Sequence, residues 1–258
     1  MSTPAPTADE RRVLAARTDA RAVRRVQRSV ASGTVLIGAG AWVVFLAVAV
    51  AVPLIVHNAG NSMDTGVLFI TEYIARWIAF GTAVAVFATI VPTHLAAGGT
   101  RRALRAGALR AAAIAGIVFG LLKALAFLGE RGVFAALGWT WRWPDGVLGA
   151  DGGGLTLTAV SEGLVVAVYV LFGCAVVAGY QSHGIWRGTL LLLPGLALCA
   201  LVELVTRSGS AEDVLGRFLD LDGVTAVVVG IVGGLAAVAL AAAWLHLHLR
   251  TLRLRPTR

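Results

Sequence analysis

Charged residues are scarce in this chain, at 14% of its 258 residues, and they are nearly absent from six long stretches. The six apolar runs cover residues 33–56, 67–92, 107–129, 157–180, 188–206 and 223–247. A helix needs about 20 apolar residues to cross about 30 Å of hydrocarbon, because it rises about 1.5 Å per residue. Each run is near or above that length. The sequence therefore predicts an all-α, polytopic membrane protein with six transmembrane helices and no second globular domain.

The chain has only two cysteines, and it lacks the motifs of soluble enzymes. Cys174 and Cys199 fall inside predicted spans, where we expect them to act as small apolar residues rather than as disulfides or metal ligands. The chain has no phosphate-binding loop, no H-E-x-x-H zinc helix and no G-x-S-x-G elbow. His246 and His248 point about 200° apart on a helix, so they cannot share a metal. We predict that the protein is not an enzyme and has no catalytic residue, metal site or cofactor of its own.

The arginines indicate how the chain is oriented in the membrane. Sixteen of the 22 arginine and lysine residues lie before the first run, between the second and third, between the fourth and fifth, or after the sixth, counting Arg110 at the start of the third run with the connection before it. By the positive-inside rule, both termini are predicted to be cytoplasmic. The net charge of +8 is concentrated on these cytoplasmic segments, which indicates attraction to anionic membrane lipids and not to nucleic acid.

Residues 1–32 form the predicted cytoplasmic N-terminal segment, followed by the six-span domain at 33–247 and a basic tail at 248–258. The segment contains two arcs at helical spacing, an apolar one and a basic one, which predict an amphipathic helix along the inner membrane surface. A solvated basic tail that only fixes the topology is the alternative. The arcs consist of Val13, Ala16, Ala20, Val23, Val26 and Val30, and of Arg17, Arg21, Arg24, Arg25 and Arg28.

Five ionisable residues lie within the apolar runs, apart from Arg110 and His246 at the cytoplasmic ends of theirs, and an unpaired charge there costs at least about 2.5 kcal/mol. With the predicted orientation, all five fall in the outer half of the membrane. Glu72 and Arg76 are four apart, the spacing of an ion pair on one helix face. The set forms either a polar cavity open to the outside or a network that locks the outer end of the bundle, unless each side chain snorkels to the headgroups. Its members are Glu72, Arg76, Lys123, Glu162 and Glu203.

Small residues and one proline predict how the spans pack. Gly116 and Gly120, like Gly230 and Gly234, are four apart, which lets another helix approach closely. We expect this packing to occur within the chain, with dimerisation as the alternative. Pro194 lies inside the fifth run, where its missing N–H should kink the helix.

The connection between the second and third runs reads PTHLAAGGTRRALRAGALR and favours a short surface helix. It resembles the corresponding loop of membrane subunits of bacterial ATP-binding-cassette exporters, the small six-span permeases. The matching residues are His94, Leu95, Gly98, Thr100, Arg101, Arg102 and Gly107. The resemblance extends to residues 186–198, WRGTLLLLPGLAL, to the basic N-terminal helix, to cytoplasmic termini and to a short amphipathic segment between the last two spans.

The resemblance implies a permease that forms a translocation path in the bacterial cytoplasmic membrane, as a dimer with a second permease copy. It also implies that ATP and Mg²⁺ are bound by a separate ATPase subunit. The segment from Thr93 to Arg105 would form a coupling helix that docks on that ATPase. The coupling residues implied are Thr93, His94, Leu95, Gly98, Thr100, Arg101, Arg102 and Arg105.

The main alternative is a membrane scaffold or assembly partner that transports nothing. Its basic cytoplasmic face would bind protein or lipid. An intramembrane enzyme is disfavoured, because no nucleophile and base occur at matching depth.

Overall fold

The structure is a computed structural model that describes residues 7–142, 154–208 and 223–252, without the side chains of residues 69, 70 and 72. These ranges contain helices and no strands; an isolated β-bridge joins Thr65 to Arg142. The helices are α1 (Ala8–Asn58), α2 (Leu68–Ala96), α3 (Arg101–Ala136), α4 (Gly154–His183), α5 (Ile185–Leu190), α6 (Leu192–Val205) and α7 (Gly223–Thr251).

Six helices in the described ranges are long and apolar enough to span a membrane, with α5 and α6 together forming the fifth span. The predicted all-α, multi-pass fold is therefore confirmed. Each apolar run from the sequence lies largely within one of these helices, and the helices extend past most of the predicted boundaries by a few residues.

Helix α1 runs unbroken for 51 residues and joins the N-terminal segment to the first span. Thr7 and Glu10 cap its start reciprocally, and no proline interrupts it before Pro53. At about 1.5 Å per residue it is about 75 Å long, more than twice the thickness of the hydrocarbon. The N-terminal helix is thus present, but it continues the axis of the first span instead of forming a separate surface helix.

The apolar face of this N-terminal half packs against protein. Val23, Val26 and Val30 are buried, and Val26 contacts the α3 backbone at Gly107, where a side chain would collide with it. A helix along the inner membrane surface would turn these valines toward acyl chains, whereas here they pack against α3. The reason is that α3 begins near Asp19 of α1, runs beside the following turns of α1 and offers a glycine at the point of contact.

Helix α4 forms the centre of the bundle. Residues 165–179 are all buried, because α2, α3, α5, α6 and α7 pack around them. A helix that is apolar on every face is buried either by lipid or by other helices, and residues 165–179 are buried by other helices. This central position places any polar residue of α4 within reach of several neighbouring helices.

The glycine pair of α3 mediates packing within the chain, as predicted. A Cβ at Gly116 would collide with the carbonyl of Gly163 on α4, and one at Gly120 with the carbonyl of Ala159. In the second pair, a Cβ at Gly234 of α7 would lie 2.7 Å from the side chain of Leu164 on α4. Glycine at these positions lets the outer helices approach the central helix closely.

The fifth span is interrupted at Leu191, between α5 and α6. Pro194 follows three residues later and lacks the N–H that would bond to the carbonyl of Leu190. The predicted kink is therefore observed. A single residue, Gly184 with φ of 79°, connects α4 to α5.

The helices alternate in direction, which defines two ends of the bundle. At one end, Thr100 donates a hydrogen bond to Asp19 of α1, and Ser182 of α4 donates to the carbonyl of His248 on α7. The segments 59–67 and 137–142 lie at the opposite end. We call the first the arginine-rich end, because it carries Arg17, Arg21, Arg24, Arg25, Arg28, Arg101, Arg102, Arg105, Arg187 and Arg250.

Candidate functional site

The first candidate site is a network of charged side chains inside the bundle, nearer the opposite end. Its central contact joins Arg76 of α2 to Glu162 of α4. The Arg76 Nε lies 3.2 Å from Oε1 of Glu162, and Nη2 lies 2.7 Å from Oε2. Two parallel N–H···O bonds of this kind fix the orientation of both groups, unlike a single contact between point charges.

Two further helices join the same pair. Lys123 of α3 donates from Nζ to Oε2 of Glu162 at 3.0 Å. Arg76 also donates from Nη1 to Oε1 of Glu203 on α6 at 3.2 Å, and the Tyr169 hydroxyl donates to that same oxygen at 2.8 Å. Ion pairs and hydrogen bonds therefore tie α2, α3, α4 and α6 together at one depth.

These charges are buried. The side chain of Arg76 is 0% exposed, those of Glu162 and Lys123 are 1% and 4% exposed, and that of Glu203 is 13% exposed. Two cations face two carboxylates, so the formal charges of these four residues cancel. Burying a charge away from water is costly unless a partner of opposite sign compensates for it.

Snorkelling to the headgroups is therefore excluded for Arg76, Lys123 and Glu162. The structure brings four of the five residues of the predicted set together as a closed network. The side chain of Glu72 lies outside the described residues, and so does its proposed pairing with Arg76.

Glu130, a buried residue near the end of α3, plays a part that sequence reasoning missed. Its Oε1 accepts hydrogen bonds from the backbone N–H groups of Val67 and Leu68, at 2.6 and 3.1 Å, where α2 begins. Its Oε2 accepts from Nε1 of Trp141 at 3.2 Å. A carboxylate at a helix N-terminus satisfies donors that have no partner within the helix. Glu130 thus ties the start of α2 to the end of α3.

Metal chemistry has no support among the residues that the structure describes. They contain no group of three or more His, Cys, Asp or Glu side chains arranged to hold a metal ion. Cys174 and Cys199 are buried free cysteines. His246 and His248 have different surroundings: the first contacts Arg105, and the second stacks edge-on against His183 and Trp244.

The second candidate site is the tip of the α2–α3 hairpin at the arginine-rich end. The separate coupling helix expected from Thr93 to Arg105 is not formed. Instead, Thr93, His94 and Leu95 belong to the last turns of α2, residues 97–100 make the connection, and α3 begins at Arg101. The sequence thus forms a four-residue helical hairpin loop.

Local chemistry explains why the connection is so short. Gly98 has φ of 76°, a conformation that glycine adopts without strain and that ends α2. Two residues later, the Thr100 hydroxyl accepts a hydrogen bond from the N–H of Ala103 at 3.0 Å and caps α3. The stop and start signals are adjacent, so no residues remain for a helix between them.

The hairpin tip is braced against other spans. Thr100 donates from Oγ1 to Asp19 of α1 at 2.9 Å, and Arg101 donates from Nη1 to the carbonyl of Arg250 on α7 at 2.9 Å. His94 lies 3.2 Å from the carbonyl of Thr100, across the loop. Arg101 and Arg102 are nonetheless exposed.

A groove runs beside this tip, between α1 and α2. Its volume is about 440 Å³, and it combines arginines of α1 with polar residues from the end of α2. The charged and polar positions in its wall include Arg21, Arg25, Thr93 and His94. Three of the coupling residues expected from the resemblance, Thr93, His94 and Gly98, line this groove, while Arg101 and Arg102 lie on the α7 side of the tip.

Comparison of this chain with known protein families, with curated proteins and with solved structures gives no match.

Proposed function

We propose that this chain is the permease subunit of an ATP-driven exporter and that the hairpin tip couples it to an ATPase on a separate chain. The observation that carries the proposal is the exposed pair Arg101 and Arg102 at a tip that is bonded to both α1 and α7. The resemblance of the loop sequence supports the same assignment. ATP and Mg²⁺ would be bound by the partner.

Bracing matters for coupling because a force on the tip has to reach the translocation path. A push on residues 97–100 moves the ends of α2 and α3 directly. The Thr100–Asp19 and Arg101–Arg250 contacts transmit it to α1 and α7. One docking point on this surface would therefore act on four of the six spans.

The buried ion network supplies the second element of this mechanism. It holds α2, α3, α4 and α6 together nearer the opposite end, and α2 and α3 are also the helices that the hairpin tip joins. Opening that end requires the Arg76 contacts to exchange partners or to take up water, since charges left unpaired in the interior are costly. The network would therefore act as the closed gate in an alternating-access cycle, with a second permease copy completing the path.

The network also supports a second candidate, a membrane scaffold that transports nothing. Arg76, Glu162 and Lys123 are buried and bonded to one another, an arrangement that equally suits a static bundle. In that case, the arginine-rich end would hold an assembly partner, and no ATPase would respond to it.

Replacing Arg101 and Arg102 together by alanine tests the proposal. Co-purification of this variant with a candidate ATPase subunit in mild detergent should give a several-fold lower pull-down yield than wild type and a loss of ATPase stimulation. The control is Arg24→Ala with Arg28→Ala, two exposed arginines of α1 at the same end that do not line the groove beside the tip. Equal behaviour of both double variants would indicate bulk charge. An unchanged yield and rate would favour the scaffold.

A further inference from the structure

Four arginines surround one small pocket at the arginine-rich end, between the start of α3 and the end of α7. The pocket has a volume of about 350 Å³. No carboxylate lines it among the residues that the structure describes. Its walls are Arg101, Arg102, Arg105, His246, Leu249 and Arg250.

Two hydrogen bonds hold the side chains of two of these arginines, Arg101 and Arg105, in place. Arg101 donates from Nη1 to the carbonyl of Arg250, and Arg105 lies with Nη1 3.0 Å from Nδ1 of His246. A guanidinium only donates, so this histidine nitrogen accepts and the ring proton is on Nε2. Each guanidinium has five N–H groups, and these contacts use one from each. Among the described residues the other N–H groups of Arg101 and Arg105 have no hydrogen-bond partner, so they are left to receive an anion.

We propose that this pocket binds the headgroup phosphate of an anionic phospholipid. Clustered guanidinium groups match phosphate oxygens in geometry and charge, and basic pockets between helices on the cytoplasmic side of a membrane bind such headgroups. This assignment does not depend on the proposed exporter function, because lipid binding involves only this chain.

An apolar ridge on α3 identifies the ligand as a lipid and not as free phosphate. Starting from Arg105, every fourth residue along the helix is Leu109, Ala113, Ile117 and Leu121, and such residues form one continuous ridge. Ile117 is 63% exposed and Leu121 is 54% exposed. An acyl chain attached at the pocket would lie along this ridge.

The dimensions agree with one lipid leaflet. Arg105 and Ile117 are twelve residues apart on α3, about 18 Å along the helix and roughly half of the hydrocarbon thickness. The ridge then enters an apolar groove of about 620 Å³ between α3 and α4, which Ala113, Ile117 and Leu121 help to line. The pocket and the ridge thus supply a polar and an apolar half at the spacing that a phospholipid requires.

The test uses full-length protein in nanodiscs that contain equal amounts of phosphatidylglycerol and phosphatidylcholine. After release into detergent, native mass spectrometry measures the ratio of the two lipids that stay bound. Wild type should retain phosphatidylglycerol in preference. The variant Arg105→Gln with Arg250→Gln should lower this ratio by about tenfold or more. The lipid ratio is measured without any ATPase, and Arg101 and Arg102 stay in place, so a failure of this proposal can be distinguished from a failure of the exporter proposal.

Matched variants keep the result interpretable. Arg11→Gln with Arg17→Gln removes the same charge from exposed positions of α1 and should leave the ratio unchanged. Arg105→Lys with Arg250→Lys should retain part of the preference. If the double glutamine variant does not fold, the single Arg250→Gln variant is measured in its place. This substitution keeps the hydrogen bond from Arg101, because that bond is made to the backbone carbonyl of residue 250.

Three results would overturn the proposal. Equal loss with the α1 control would indicate bulk surface charge. An undiminished ratio in the glutamine variant would indicate binding elsewhere. Displacement of phosphatidylglycerol by excess inorganic phosphate would indicate a site for free anions in which the ridge has no role.

Discussion

Arg76 and Glu162 form a two-point ion pair in the interior of the bundle, with Nε 3.2 Å from Oε1 and Nη2 2.7 Å from Oε2. The two residues are 86 positions apart in the sequence. The pair connects α2 to the central helix α4. Every other charged contact described in the network is made to one of these two residues, so Arg76 and Glu162 are its hub.

Arg76→Leu should destabilise the protein more than Lys123→Leu. Loss of Arg76 leaves both Glu162 and Glu203 without their guanidinium, whereas loss of Lys123 leaves the two-point pair intact. Breaking a buried ion pair by removing one partner costs about 3–5 kcal/mol. Thermal unfolding in detergent, followed by intrinsic fluorescence, measures the difference.

Two further variants serve as controls for this comparison. Arg76→Lys keeps the charge but loses the fork geometry, so its melting temperature should lie between wild type and Arg76→Leu. Arg12→Leu breaks an exposed pair with Asp9 and should change little. A larger loss in Lys123→Leu than in Arg76→Leu would contradict the central role of Arg76.

Gly116→Ala and Gly120→Ala should each destabilise the fold, by about 1–3 kcal/mol, because the new methyl group collides with backbone carbonyls of α4. The same helix offers matched controls. At Gly129 and Gly132, a Cβ would have no atom of a neighbouring element within 4 Å. Alanine there should be neutral or stabilising by up to about 1 kcal/mol, because it favours the helix.

Unfolding by denaturant in mixed micelles measures all four glycine variants under the same conditions. Equal destabilisation at Gly116 and Gly129 would mean that the close approach of α3 to α4 has no energetic weight.

Glu130→Ala should loosen the start of α2, since the N–H groups of Val67 and Leu68 lose their acceptor. A lost helix cap costs about 0.5–2 kcal/mol. Amide hydrogen exchange should accelerate at the first turn of α2 and not at its C-terminal turn. Glu10→Ala removes an exposed cap from α1 and provides the matched control. Unchanged exchange at residues 67–68 would rule out the capping role.

Sequence length and composition were sufficient to predict the six spans, because the hydrocarbon thickness sets the length of a spanning helix directly. That these charges lie at one level of the bundle also followed from their positions in the runs. The contacts of Arg76 to Glu162 and Glu203, 86 and 127 residues away, did not follow. Local spacing indicated Glu72 as a partner of Arg76, and that pairing lies outside the described residues. Spacing along one helix carries no information about which face of another helix it meets.

The hairpin tip was mispredicted for a different reason. The composition of residues 92–110 suits a surface helix. However, the stop signal at Gly98 and the cap at Thr100 place Arg101, Arg102 and Arg105 within α3 itself. Glu130 was missed because it follows the third apolar run by one residue and therefore looked like part of a connection. Its role as a cap depends on the N-terminus of α2 lying beside it in the fold.

The orientation expected from the arginines can be tested by labelling with a thiol reagent that does not cross membranes. Asn61→Cys and Thr140→Cys, both exposed at the opposite end, should react in intact cells. Ala97→Cys and Trp186→Cys, both exposed at the arginine-rich end, should react only after permeabilisation. The native Cys174 and Cys199 are buried and should give little background labelling. The four engineered positions avoid glycines with positive φ, where a cysteine would strain the backbone. Labelling of Ala97→Cys in intact cells would place the hairpin tip outside, beyond the reach of a cytoplasmic ATPase, and would remove the basis of the exporter proposal.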